Sequence, residues 1–192
     1  MYKNFFKRLI DFTIALIALV CSSPILLIVT IWLHFANKGA GAFFTQERPG
    51  KNAKVFRVIK FKTMTDERDA DGNLLPDAQR LTKVGRIVRS TSLDELPQLF
   101  NVLVGEMSLV GYRPERKFFI DQIMEKDSRY ECLYQMRPGL TSEATLYNGY
   151  TSSIDKMLER LNMDLRYLEV GTLKTDIKII FSTIKLILLG SK

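Results

Sequence analysis

From Phe12 to Asn37 the chain carries no Asp, Glu, Lys or Arg, and that segment narrows the folds open to it. As one helix it reaches about 39 Å at 1.5 Å per residue, against roughly 30 Å for the hydrocarbon core of a bilayer. A cleaved signal peptide fits poorly, because apolar residues run on past Cys21 through Ile25 to Leu33. Basic residues flank both ends: Lys3, Lys7 and Arg8 before, and Lys38, Arg48, Lys51, Lys54 and Arg57 after. The positive-inside rule reads that symmetry as both flanks on the cytoplasmic side. Pro24, near the middle, lacks the backbone donor that would meet the Val20 carbonyl. Ser22 and Ser23 are placed to satisfy groups stranded by that break. These residues leave two geometries open: a kinked span, and a helix that enters, bends at Ser23-Pro24 and returns to the same face.

Across 192 residues the net charge is +7, which calls for an anionic partner. No nucleic-acid-reading motif accompanies the charge, and the basic residues are interleaved with Phe, Ile and Leu. An anionic lipid surface is therefore the better match. Cys21 and Cys132 make no disulfide framework, which points to a reducing compartment. His34 is the single histidine, which argues against a His-based triad or zinc site.

Adjacent carboxylates, Asp94-Glu95, follow the basic stretch Lys83, Arg86, Arg89 and precede Pro97 near an expected helix start. Two readings compete. Ser92-x-x-Glu95 has the spacing of a capping box, with Asp94 complementing the positive end of the helix. Alternatively the pair is an acid couple that works on an anionic substrate.

Around the pair, Gln46 to Lys51 reads as a turn, followed by alternation from Val55 to Lys62, hence a short edge hairpin. Asp66 to Asn73 is polar loop, and Gly105 to Pro114 is loop with an apolar centre. Glu115 to Gln135 reads as one helix stopped by Arg137-Pro138-Gly139, and Ser153 to Glu169 as another. In the last segment Leu173, Ile177, Ile180, Phe181, Ile184 and Leu188 recur at helical spacing, as a core-packing or an interfacial helix. The expected architecture is mainly α with a small β-hairpin, a membrane-inserted segment over 1–38 and a globular part over 39–192.

Ordered blocks through most of the chain resemble the bacterial sugar transferases, specifically the small monotopic phosphoglycosyl transferases. They are Lys7-Arg8-Leu9-Ile10-Asp11, Ser23-Pro24, Phe44-Thr45-Gln46-Glu47-Arg48-Pro49-Gly50, Phe61-Lys62-Thr63-Met64, Arg89 to Val102, Gly105 to Gly111, Arg113-Pro114 and Arg137-Pro138-Gly139-Leu140-Thr141. The resemblance implies transfer of a sugar phosphate from a UDP-sugar to a polyprenyl phosphate such as undecaprenyl phosphate, with release of UMP and a need for Mg2+. It implies a re-entrant first helix bent at Ser23-Pro24, other helices lying on the membrane, and a catalytic domain on the cytoplasmic face of a bacterial inner membrane.

On this resemblance Asp94 is the nucleophile and a metal ligand, and Glu95 its partner carboxylate. A carboxylate attacking phosphorus and forming an acyl phosphate is sound chemistry. Arg89, Lys60 and Arg113 are the cations expected on phosphates, with Arg137 a candidate for the nucleotide. The chain departs from the family pattern at Tyr112, at Ser142-Glu143-Ala144-Thr145 and at Tyr150. The sugar and the pathway are not legible. A membrane-attached scaffold and a metal-dependent phosphohydrolase are the rival functions.

Overall fold

The computed structural model describes residues 2–149 and 153–189. Helix α1 (Lys7–Ala36) is continuous, with Pro24 inside it. The Ser23 hydroxyl donates to the Val20 carbonyl at 2.8 Å, supplying the bond that Pro24 cannot. The helix is long and apolar enough to cross a membrane, and most of its apolar stretch is exposed.

Its buried positions follow helical spacing along a single stripe. Asp11, Ala15 and Leu19 lie in the first half, and Val29 and Leu33 in the second. Ala15 and Leu19 enter a core with Phe56, Val58, Leu99, Val102, Met107 and Leu109. Val29 and Leu33 enter another with Ala42, Phe61 and Val88. Both halves of α1 therefore rest on the same globular body.

Polar contacts fasten its first turns. Asp11 is buried and accepts from the Ser108 hydroxyl at 2.6 Å and the Leu109 N–H at 3.2 Å. Arg8 donates to the carbonyls of Val102 and Leu103 at 2.6 and 2.7 Å, at the end of a later helix whose last carbonyls lack partners of their own. Lys7 reaches Asp176 at 2.5 Å, and Asp176 also accepts from Tyr2 and Tyr167. Lys7 and Arg8, counted above as flanking charges, are thus engaged within the protein.

The expected hairpin is present: β1 (Phe43–Pro49) pairs antiparallel with β2 (Val55–Phe61), Phe43 opposite Phe61 and Pro49 opposite Val55. Phe56 and Val58 are buried while Val55 and Arg57 are exposed, so alternation carries Lys60 towards the protein. The open edge of β2 is met by a side chain. Asn101 accepts from the Ile59 N–H at 3.0 Å and donates to the Arg57 carbonyl at 2.8 Å. Asn101 belongs to α4 (Gln98–Val104), which follows α2 (Asp77–Arg80) and α3 (Lys83–Ser90).

Two expectations need correction. The segment 105–114 contains a strand, β3 (Ser108–Val110), paired in parallel with β4 (Gly139–Thr141). All of β3 is buried, so it shows no alternation to read. The backbones come so close beside it that a Cβ on Gly139 would stand 2.1 Å from the Gly111 nitrogen. The single helix expected over Glu115 to Gln135 is two pieces, α5 (Lys117–Lys126) and a 3₁₀ run, Ser128–Gln135. Asp127 breaks it: its backbone is extended, and its carboxylate accepts from the Arg129 N–H at 3.0 Å.

The chain closes with α6 (Glu143–Asn148), α7 (Ile154–Val170) and α8 (Leu173–Leu189). On α8 the stripe of Leu173, Ile177, Phe181, Ile184 and Leu188 is exposed, while Asp176 and Ile179 face inward. Of the apolar face predicted for α8, Ile180 packs on the core and the rest points away from it.

A third core gathers Tyr112, Ile120, Ile123, Tyr130, Leu133, Met157 and Leu161. Beside it lies Asp164 on α7, buried, its carboxyl held well above the ordinary range by desolvation against a smaller opposing pull from Arg160. An acid raised on folding keeps its proton in the native state after the unfolded chain has lost it. Its contribution to stability therefore falls as pH rises from about 4 towards the raised value. Asp164→Asn is predicted to raise the melting midpoint near neutral pH, by roughly 2–4 °C for each kcal/mol recovered. It should also flatten the pH dependence above pH 4 in thermal melts of the full chain. A lower midpoint at pH 7 would show that the charged form is needed.

Candidate active site

Between α3 and α4 the chain turns in a few residues. Ser92 adopts φ 57°, ψ 13°, Leu93–Glu95 form one 3₁₀ turn, and Pro97 precedes α4, where a missing N–H costs little. The capping-box expectation fails here. Ser92 makes no side-chain cap bond, and its own N–H goes to the Arg89 carbonyl at 3.1 Å. Ser92 is instead the left-handed residue that ends α3, a position glycine usually takes.

Glu95 is tied elsewhere. Its carboxylate accepts from Lys60 of β2 at 2.9 Å and from Arg113 of the segment after β3 at 3.4 Å. Lys60, Glu95 and Arg113 have side chains 25%, 13% and 22% exposed, so these pairs are screened far less than surface ones. The fold thus gathers cations from separate segments onto the second acid of the dyad. Asp94 stands half-buried beside it in the same turn.

Arg89 stands on the last turn of α3, where its Nε donates to the Thr63 hydroxyl at 2.8 Å. Its helix lies close because Gly85 packs on the backbone there; a Cβ on Gly85 would stand 2.0 Å from the Thr63 carbonyl oxygen. Arg137 is not brought into this group. It donates to the Gly105 carbonyl at 2.8 Å, beside the α4 carbonyls that Arg8 holds. It lines a separate cavity of about 580 Å³ with Lys7, Asp11, Lys51 and Tyr167. Ser23 and Pro24 act in the middle of α1, as described above.

Among the family departures, Tyr112 is fully buried in the third core and stacks edge-on with Tyr130, so its role is packing. Ser142 caps α6, its hydroxyl accepting from the Thr145 N–H at 3.0 Å. Tyr150 lies outside the described residues.

Arg48 and Gln98 were not expected at the site. They line a small cavity of about 50 Å³ with Lys60 and Arg113. Burial pulls the Arg48 guanidinium down to about 10, with Glu115 opposing the shift. The signal available in the sequence was Gln98 itself, which with Asn101 is one of two polar side chains among the apolar residues from Leu96 to Val104. No group of three or more His, Cys, Asp or Glu side chains gathers among the described residues. The dyad's two carboxylates are hard oxygen donors of the kind that hold Mg2+ when phosphate oxygens and water fill the remaining positions.

With no cap bond to lose, Ser92→Ala is predicted to change stability by less than about 0.5 kcal/mol. Ser92→Gly, which relieves the left-handed strain, should gain up to about 1 kcal/mol. Chemical or thermal unfolding checks both; a loss near 1 kcal/mol in Ser92→Ala would restore the capping role.

Comparison with known proteins agrees with the residue blocks. A family model described as "Bacterial sugar transferase" matches residues 2–190. An "Uncharacterized sugar transferase EpsL" of Bacillus subtilis is 43% identical over 96% of this chain and 88% of its own length. A UDP-N-acetylgalactosamine-undecaprenyl-phosphate N-acetylgalactosaminephosphotransferase of Aeromonas hydrophila is 36% identical over 97% of this chain, which spans 44% of that protein. A UDP-glucose:undecaprenyl-phosphate glucose-1-phosphate transferase of Caulobacter vibrioides is 36% identical over 93% of this chain and 68% of its own length. This chain belongs to the bacterial sugar transferase family.

Proposed function

We propose that the protein transfers a sugar phosphate from a UDP-sugar to undecaprenyl phosphate, as the names of its relatives state for them. The observation that carries the reading is the dyad turn, with Glu95 held by Lys60 and Arg113 and Asp94 beside it. An Asp94 oxygen attacks the phosphorus next to the sugar, and the bond from that phosphorus to the UMP oxygen breaks. UMP leaves with the electron pair, and an aspartyl-phosphosugar remains. The phosphate oxygen of the acceptor then attacks the same phosphorus. The acyl-phosphate bond breaks, the Asp94 carboxylate is regenerated, and a polyprenyl-diphosphate-sugar results.

Glu95 takes a different task from Asp94, since its carboxylate is shared between two cations; it keeps Lys60 and Arg113 aimed at one place. Arg89, on the helix leading into the turn, adds a further positive charge for the phosphates. Mg2+, held by Asp94, would supply neutralisation of the diphosphate when bound.

The reading includes a re-entrant α1, with the catalytic part on the cytoplasmic face of a bacterial inner membrane over anionic lipid. Support comes from both halves of α1 resting on one globular body and from the outward apolar face of α8. Cysteines placed singly at positions 3 and 51 should both resist an impermeant reagent in intact spheroplasts. Labelling of position 3 alone would establish a full span.

The chemistry is tested with a UDP-sugar panel radiolabelled in the sugar, each member incubated with undecaprenyl phosphate. Lipid-linked label is expected. Free sugar phosphate would mean a hydrolase, and no turnover across the panel would favour a scaffold. Asp94→Asn should remain folded and lose turnover by several orders of magnitude. It should also fail to retain label from a donor labelled in the phosphate next to the sugar when acceptor is omitted. Near-normal turnover in that variant would remove Asp94 as nucleophile.

A further inference from the structure

The cavity of about 50 Å³ beside Lys60 and Arg113 has a wall of an unusual kind. Gln98 is 4% exposed, and its Nε2 is buried with no hydrogen-bond partner. Arg48 is in the same condition at Nη1, while its Nη2 donates to Gln46 at 2.6 Å. Buried donors are almost always satisfied in native proteins, so two on one small cavity need a reason. Arg48, Lys60 and Arg113 all line it. Glu95 pairs Lys60 and Arg113 from beside the wall, and the one acid in the wall, Glu115, is bonded to Arg160 at 2.6 Å. That leaves Arg48 without a carboxylate in hydrogen-bond contact among the described residues. A water molecule could accept from the two donors, but it would bring no negative charge to the buried Arg48 guanidinium. The volume suits one tetrahedral oxyanion and is far too small for a nucleoside.

We infer that Arg48 and Gln98 form, with Lys60 and Arg113, a binding site for one phosphate group, entered next to the dyad. An oxyanion there accepts from the Gln98 amide and the Arg48 guanidinium, satisfying both buried donors and offsetting the cations around them. Arg48 lies at the end of β1 and Gln98 at the start of α4. The site is therefore built across the packing of hairpin on helix. The inference deepens the transferase reading and rests on it for the identity of the ligand. The phosphate is either the one that leaves with UMP or the monoester of the acceptor.

The test is titration calorimetry on the full chain, with orthophosphate, UMP, uridine and a short-chain polyprenyl phosphate as probes. Wild type should bind orthophosphate. Gln98→Leu and Arg48→Lys should each weaken orthophosphate at least tenfold and leave uridine unchanged. UMP weakened in step assigns the site to the leaving phosphate; polyprenyl phosphate weakened with UMP unchanged assigns it to the acceptor. Without ligand, Gln98→Leu should melt no lower than wild type, because the orphan donor is gone. Should it fail to fold, Arg48→Lys carries the same comparison with the positive charge kept. Unchanged affinity for orthophosphate, UMP and polyprenyl phosphate in folded variants would overturn the site, as would no orthophosphate binding by wild type. Phosphate binding is read without turnover. A wild type that binds orthophosphate but transfers nothing would sink the reaction and leave the site standing.

Discussion

The fold hangs on the first two turns of α1. A lipid tail is as apolar as a leucine, so packing alone cannot tell a helix of this composition which neighbour to choose. Directional bonds make the choice. Asp11 reaches the backbone and hydroxyl of β3, Arg8 takes the last carbonyls of α4, and Lys7 meets Asp176 on α8. Each is part-buried or buried, and for the ion pair of Lys7 with Asp176 removing one partner leaves a charge stranded at a cost of about 3–5 kcal/mol. Three elements far apart in sequence are thereby referred to one apolar helix.

From that root the position of the dyad follows. Helix α4 is held at its C-terminal end by Arg8 and Arg137 and along its flank by the buried Asn101, which serves β2 as a neighbouring strand would. The dyad turn sits one step before the start of α4, and Lys60 lies one residue beyond the strand bond that Asn101 makes. Helix, hairpin and turn are thus mutually fixed, and the ion pairs to Glu95 close the arrangement. Arg137 contributes by holding this frame, away from the acids themselves.

What could be read in the sequence was what local spacing controls. Alternation gave away the hairpin, and helical signals gave away α7 and α8. The dyad was legible as a turn before a helix, though the residue spacing that suggested a cap belongs to the exit from α3. The pairing of β3 with β4 was invisible because each strand is three residues long and β3 is buried throughout. Lys7 and Arg8 looked like interfacial charges because nothing local distinguishes a guanidinium that meets water from one that meets carbonyls across about a hundred residues. Arg48 and Gln98 escaped for a related reason: Gln98 stood out only as a polar residue among apolar ones, and an unpaired donor is a property of the surrounding shell.

Glu95 has one more effect on the site it helps to build. A carboxylate shared by a lysine and an arginine is a resident counter-ion, and it lowers the resting positive potential that would otherwise attract any small anion in solution. An incoming phosphate then exchanges with an occupant already on the cations. Exchange yields less affinity than filling an empty well, and it makes departure correspondingly easier. The acid beside Asp94 thereby trades tightness for turnover and selectivity, so that ligands able to use more of the surface than a lone oxyanion are favoured.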